Sequence, residues 1–242
     1  MIRVENVELA TDYQKPLSDI STVFRDGEIT GIIGPSGSGK TTFLETLNLL
    51  NMPSTGKIYL NDMEITAPGV DVDKVRQRIG MVFVRPVLFR YMNVIENVMI
   101  GMVDLKGMDK NDAKQKAMRL LEMTGIADKA LVYPEEISTG KQQCAAIARA
   151  FSLDPEVLLL DEPMANIDPI MKGSMEKILK EYAKAGHTVV MVTHEKALLE
   201  TLCDRIIYMD DGRIIEEGPK EKMINCPEHA EVKEFLELLL TS

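Results

Sequence analysis

The stretch Gly34-Pro35-Ser36-Gly37-Ser38-Gly39-Lys40-Thr41-Thr42 reads GxxxxGK[ST], the pattern of a phosphate-binding loop. The apolar run Glu28-Ile29-Thr30-Gly31-Ile32-Ile33 precedes it and reads as a buried strand. Thr42-Phe43-Leu44-Glu45-Thr46-Leu47 follows it and reads as a helix. That is the strand–loop–helix setting in which the pattern has physical meaning. Glycines let the backbone wrap an anion and turn successive N–H groups inward. The helix start adds unpaired amides and the positive end of its dipole. Lys40 supplies a point charge for the β- and γ-phosphates, and the Thr41 hydroxyl is placed to ligate Mg²⁺.

A second decisive stretch lies far downstream. Val157-Leu158-Leu159-Leu160 reads as a central parallel strand covered on both faces, and Asp161-Glu162-Pro163 closes it. Carboxylates at the C-terminal end of such a strand sit at the ligand-binding edge of an open α/β sheet. Asp161 is suited to hold Mg²⁺, and Glu162 to orient or deprotonate an attacking water. The run Thr188-Val189-Val190-Met191-Val192 reads as a third strand of this kind, with His194 just past its end. A lone histidine is usually structural. One that follows a strand ending at the same edge is better placed for a γ-phosphate contact.

Between these stretches the chain changes character. Ile2–Leu9, Ile20–Phe24, Lys57–Leu60 and Ile79–Val84 read as short strands, with a turn at Pro53–Gly56. Tyr13, in a turn-rich connection, either stacks on an adenine ring or caps a sheet edge. From Pro86 to Leu153 the pattern is mostly helical, with Ala113, Ala117, Leu120 and Leu121 at helical spacing. Asp168-Pro169 reads as a capped helix start, with the helix running to Ala185 and ending at Gly186. Asp211-Gly212 is a hairpin signal between Arg205–Met209 and Arg213–Glu216. Val232, Phe235, Leu236 and Leu239 form a stripe expected to dock a final helix, Glu228–Leu240, on the body. The expected organisation is one domain over 1–242. Residues 1–85 and 154–242 form a nucleotide-binding core with its β region, and 86–153 form a helical insertion.

Composition narrows the function classes. The net charge of -10 argues against a nonspecific nucleic-acid binder, which needs a basic face. Cys144, Cys203 and Cys226 are far apart and lack metal-ligand spacing, so reduced thiols are expected. The charged start Met1-Ile2-Arg3-Val4-Glu5-Asn6 does not read as a signal peptide, and no apolar run reaches the ~18 residues of a spanning helix. Any tie to a membrane is therefore expected to run through a partner.

The order and spacing of the pieces resemble the ATP-binding-cassette ATPase family over nearly the whole chain. The segments that carry the likeness begin with GPSGSGKTT at Gly34–Thr42, GMVF at Gly80–Phe83 and ENV at Glu96–Val98. They continue with YPEEISTGKQQCAAIARAF at Tyr133–Phe151, LLLDEP at Leu158–Pro163, ANIDP at Ala165–Pro169 and VTHE at Val192–Glu195. The likeness is strongest to ATP-binding subunits of importers for polar amino acids and similar small solutes. It implies an α/β fold: a RecA-like P-loop NTPase core with an antiparallel β subdomain and an inserted α-helical subdomain. It implies Mg-dependent ATP hydrolysis in a head-to-tail sandwich of two such chains. Gly34 through Thr42 and Tyr13 would bind ATP in one chain, with Asp161, Glu162 and His194 beside them. The signature segment, Ser138, Thr139, Gly140 and Lys141, would open the Ala145–Phe151 helix and face the other chain's nucleotide, with Asp168 in the loop at the sandwich face. The implied partners are a second ATP-binding subunit, membrane permease subunits and, indirectly, a solute-binding protein. The implied place is cytoplasmic, on the inner face of the cell membrane.

Departures from the family pattern cluster in the segments that serve partners. The usual Leu-Ser-Gly-Gly-Gln is Ile137-Ser138-Thr139-Gly140-Lys141, and Cys144 stands where arginine is common. The usual glutamine after Gly80–Phe83 is Val84, which can neither hydrogen-bond nor coordinate. The pattern is open to a divergent importer subunit, to one half of an unequal ATPase pair, and to a soluble non-transport ATPase. A nucleotide-dependent regulator with reduced turnover is a further alternative.

Overall fold

The computed structural model describes residues 1–10 and 15–241. The chain runs β1 (Ile2–Leu9), β2 (Leu17–Phe24), β3 (Ile29–Ile33), α1 (Lys40–Leu47), β4 (Thr55–Leu60), β5 (Met63–Glu64), α2 (Val72–Arg78) and β6 (Ile79–Val82). Then come α3 (Val94–Asp104), α4 (Lys110–Met123) and α5 (Thr139–Ser152), with short 3₁₀ turns at Ala127–Lys129 and Pro134–Glu136. The remainder is β7 (Val157–Asp161), α6 (Pro169–Lys184), β8 (Thr188–Val192), α7 (Lys196–Thr201), β9 (Arg205–Asp210), β10 (Arg213–Pro219), α8 (Lys220–Asn225) and α9 (Ala230–Thr241).

Two sheets result. One is antiparallel, in the order β2-β1-β4-β5. The other, in the order β10-β9-β3-β8-β7-β6, is parallel except for its β9–β10 hairpin. Strand alternation explains the continuous apolar runs. Ile29, Leu158, Leu160, Val189 and Met191 join a cluster on the side of α3–α6. Ile32, Val157, Leu159, Val190 and Val192 join a second cluster with α1 and the antiparallel sheet. Successive side chains point to opposite faces, so a strand covered on both faces must be apolar throughout.

β3, the strand that feeds the phosphate loop, lies between β8 and β9. The Asp211–Gly212 turn of the β9–β10 hairpin reaches back to that loop. Gly212 N–H donates to the Ser38 carbonyl at 3.1 Å, and Ser18 N–H donates to the Gly212 carbonyl at 2.9 Å.

Several boundaries differ from the sequence reading. β2 begins at Leu17 rather than Ile20, and β4 takes in Thr55 and Gly56, where a turn was expected. β6 stops at Val82, and helix resumes only at Val94. Residues 83–93 are an irregular connection. Pro86 lacks an N–H to give a helix, and Asn93 with Glu96 forms a reciprocal capping box that fixes the start of α3. α5 begins at Thr139, so the signature residues lie inside its first turn rather than ahead of a helix at Ala145. The Ser138 hydroxyl accepts from Lys141 N–H and caps it.

The last helix docks through Val232 and Leu236, both buried, and Phe235 meets Tyr208 edge-on at 5.3 Å. Its approach is pinned by Glu216 of β10. That carboxylate accepts from Glu228 N–H at 2.9 Å, His229 N–H at 3.0 Å and His229 Nδ1 at 3.1 Å. Burial alone would raise its pKa, but the Glu228 and His229 donors outweigh burial and hold it below its ordinary value of 4.5. A carboxyl depressed on folding adds stability above its unfolded pKa, and the gain is lost as pH falls through the folded pKa. Glu216→Ala is therefore expected to cost about 1–3 kcal/mol at pH 7. In thermal unfolding followed over pH, the gap between variant and wild type should narrow below pH 4.5. A constant gap would mean that packing, not the ionised carboxylate, holds α9.

Candidate functional site

The C-terminal ends of β3, β6, β7 and β8 share one edge of the parallel sheet. A cleft of about 370 Å³ opens there, lined by Pro16, Ser36, Gly37, Gly39, Lys40, Thr41, Thr42, Val84, Asp161, Glu162, Val192 and His194. The fold thus brings together residues separated by more than a hundred positions in sequence. Gly34, Pro35 and Ser38 belong to the same loop without lining the cleft, and they hold it in shape. Gly34 sits at φ 145°, and a Cβ there would lie 2.0 Å from the Met209 carbonyl oxygen. The Lys40 ammonium donates to the Gly34 carbonyl at 2.8 Å, the Pro35 carbonyl at 2.7 Å and the Ser38 hydroxyl at 3.3 Å. The loop is closed on its own lysine.

Thr41 Oγ1 donates to Asp161 Oδ2 at 2.8 Å. This contact links the first turn of α1 to the end of β7. Glu162 follows with φ 46°, outside the regions that side chains favour, and its N–H donates to the Val192 carbonyl at 3.0 Å. Strain of this kind collects at sites where a side chain must be aimed. The Glu162 Oε1 atom is buried and accepts no hydrogen bond, although His194 Nε2 lies 3.3 Å away.

Electrostatics at this edge follow from crowding. Burial raises the Asp161 carboxyl, against the pull of the Thr41 hydroxyl and Lys40. Burial and then the neighbouring Asp161 charge push Glu162 up to about 7. Burial lowers Lys40 against the attraction of Glu162, Asp161 and Asp210, and burial followed by Lys40 lowers His194. The result is a carboxyl poised near neutrality beside a histidine biased to its neutral form.

The residues present fit a nucleoside triphosphate with its divalent cation. The loop carries a buried lysine and open glycine backbone. The Thr41–Asp161 pair offers two oxygens, and the orphaned Glu162 oxygen is an acceptor with no donor. Among the described residues no group of three or more His, Cys, Asp or Glu could hold a metal. A hard cation held by two protein oxygens fills its remaining positions with phosphate and water, the usual arrangement for Mg²⁺.

Tyr13 lies outside the described residues. Pro16, which sequence reading did not single out, lines the cleft. Ser138, Thr139, Gly140, Lys141 and Asp168 are not among the residues lining it. They form a separate unit. Asp168 caps α6, its Oδ1 accepting from Ile170 and Met171 N–H. A Cβ on Gly140 would lie 2.3 Å from the Asn166 carbonyl oxygen, so the start of α5 and the loop before α6 interlock within one chain. Gly140→Ala should therefore lower stability by about 1–3 kcal/mol through overpacking. Thermal unfolding without nucleotide checks this; an unchanged midpoint would mean that the loop yields freely.

A family model described as "ABC transporter" matches residues 17–165. The arginine transport ATP-binding protein ArtM of Bacillus subtilis is 40% identical over 240 residues, covering 99% of this chain and 100% of the relative. The glutamate/aspartate import ATP-binding protein GltL of Escherichia coli K12 is 37% identical over 240 residues, with the same coverage. Among solved structures, a dimeric ATP-binding cassette in a post-hydrolysis state, bound to ADP and Pi, superposes with a TM-score of 0.82 at 28% identity. That match covers 91% of this chain and 99% of the other. The phosphate-loop edge, the segment order and these matches agree: the chain belongs to the ABC transporter family.

Proposed function

We propose that this protein is the ATP-binding and hydrolysing subunit of an importer for an amino acid or a similar small polar solute. The observation that carries the reading is the single cleft that joins Lys40 and Thr41 to Asp161, Glu162 and His194. Full-length likeness to subunits named for arginine and for glutamate/aspartate supports the solute class.

In this reading Gly34 through Thr42 wrap the phosphates, with Lys40 leaving its carbonyl partners for the β- and γ-phosphates. Thr41 Oγ1 and Asp161 would hold Mg²⁺, whose charge offsets that of the phosphates. Ionised Glu162 accepts a proton from the attacking water, and neutral His194 donates to a γ-phosphate oxygen. Water adds to the γ-phosphorus, the bond to the β-phosphate oxygen breaks, and ADP and phosphate leave. Ser138, Thr139, Gly140 and Lys141, with the N-terminal amides of α5, would face the nucleotide of a second ATP-binding subunit, with Asp168 beside them. Tyr13 would stack on the adenine ring. The division into a core with its β region (1–85, 154–242) and a helical part (86–153) belongs to the same proposal.

Among the described residues no helix is long and apolar enough to cross a membrane. Val87, Phe89 and Tyr91 are exposed on the 83–93 connection and suit a permease contact. That contact would place the protein on the cytoplasmic face of the membrane, with a solute-binding protein reached only through the permease. Val84 on the cleft wall favours a second reading, a nucleotide-dependent regulator with reduced turnover.

Two measurements separate the readings. Recovery of a permease with the tagged chain from native membranes, together with phosphate release, supports the importer subunit. ATP binding without release and without a membrane partner supports the regulator.

A further inference from the structure

The 83–93 connection is held from outside by three buried or half-buried polar side chains of the helical block. Asn97 accepts from Phe89 N–H at 2.7 Å and reaches the carbonyls of Phe89, Met92 and Asn93 at 3.0 Å. Arg149 donates to the Val87 carbonyl. Gln143, only 1% exposed, donates from Nε2 to the Phe83 carbonyl at 3.0 Å. β6 is the edge strand of its sheet, and its last paired residue is Val82. Phe83 therefore lies beyond the ladder, and Gln143 supplies the bond that the sheet does not.

This bond joins two places that matter separately. Phe83 immediately precedes Val84, which forms part of the cleft wall. Gln143 lies about one helical turn from Thr139 and Gly140. Val84 has no polar group of its own with which to sense the cleft. The other end of the Gln143 amide, Oε1, is buried with no hydrogen-bond partner. Buried polar atoms are nearly always paired, so this amide is held by its donor end alone, through the bond to Phe83.

We propose that Gln143 is a positioning residue that makes the Phe83–Val84 wall of the cleft follow the signature end of α5. A shift of α5 against a second chain's nucleotide is then transmitted to this chain's own cleft through one side-chain amide. The proposal rests on the ATP-binding reading above and goes beyond it in naming the joint.

The test uses the intact chain, which has no tryptophan, with a Tyr91→Trp reporter on the 83–93 connection. Gln143→Met keeps the length and removes the donor, while Gln143→His keeps an N–H donor. Expected for Gln143→Met are unchanged ATP affinity, loss of the ATP-induced fluorescence change, and kcat lower by about tenfold or more with KM within about twofold. Gln143→His should retain the fluorescence response. A methionine variant with wild-type kcat and response overturns the proposal, as does equal impairment of both variants. If the methionine variant melts well below wild type, hydrogen exchange on the unaltered chain decides. Residues 83–93 and 139–152 should change protection together on ATP binding, and independent change overturns the joint. A wild-type chain that binds no ATP sinks the nucleotide reading itself. One that binds without hydrolysis leaves the reporter and exchange arms to settle Gln143.

Discussion

Glu162→Gln should reduce phosphate release by about 10²-fold or more while leaving ATP bound, because a positioned general base contributes about 10²–10⁴ to rate. The amide keeps the size of the side chain and its place at the end of β7, where the backbone is already fixed by the bond to Val192. It removes the ability to take a proton, along with the negative charge that Lys40 feels. Retained ATP without turnover should lengthen the life of a two-chain assembly, visible by size exclusion. The pH profile adds a second reading. The base form of Glu162 is the ionised one, and burial with Asp161 puts its pKa at about 7. Wild-type turnover should therefore climb as pH rises through 7 and fall below it. His194 is biased to its neutral form, lowered by burial and then by Lys40. A flat profile from pH 6 to 8, or a Glu162→Gln variant that turns over at the wild-type rate, would remove Glu162 from the role.

Lys40→Ala should weaken ATP binding by about 10- to 10²-fold, the scale of losing a charge-assisted contact of about 1.5–3 kcal/mol. The main effect is that the triphosphate loses its buried cation. The bonds to the Gly34 and Pro35 carbonyls, which Lys40 gives up on binding, are lost from the free state alone and offset part of it. The neighbouring carboxylates lose their compensating charge as well, since Lys40 interacts favourably with Glu162, Asp161 and Asp210. Lys40→Arg keeps the charge and should recover little, because the guanidinium is too broad for a space measured by contacts of 2.7–2.8 Å. Titration calorimetry of nucleotide binding checks both variants; affinity within threefold of wild type would mean that the loop amides alone bind the phosphates.

The residues at the cleft were legible in the sequence because strong local patterns announce them. A glycine-rich loop between a strand and a helix, and carboxylates ending an apolar run, each declare a sheet edge. Bringing Glu162 and His194 to the same edge as Lys40 followed from reading three buried strands as parallel neighbours. Other features have no local signature. The irregular course of residues 83–93 is set by Asn97, Gln143 and Arg149, which lie up to 62 residues away in sequence. Gly140 reads as one residue of the signature segment, yet its lack of a Cβ is demanded by Asn166 across a turn of the fold. Pro16 lines the cleft just ahead of β2, which begins three residues earlier than its apolar pattern suggested. Tertiary contacts decided each of these, and no window of sequence contains both partners.

The placement of β3 between β8 and β9, with the hairpin turn bonded back to Ser38, has a consequence for the order of events during synthesis. Every strand that flanks β3 is encoded after residue 187, and the Gly212 contact comes later still. The motif that defines the protein is thus translated early but receives its neighbours last. A ribosome-bound chain halted before β8 would carry the whole GPSGSGKTT sequence and still lack both strands that flank β3. The full surroundings of the loop are therefore assembled only in the nearly finished chain.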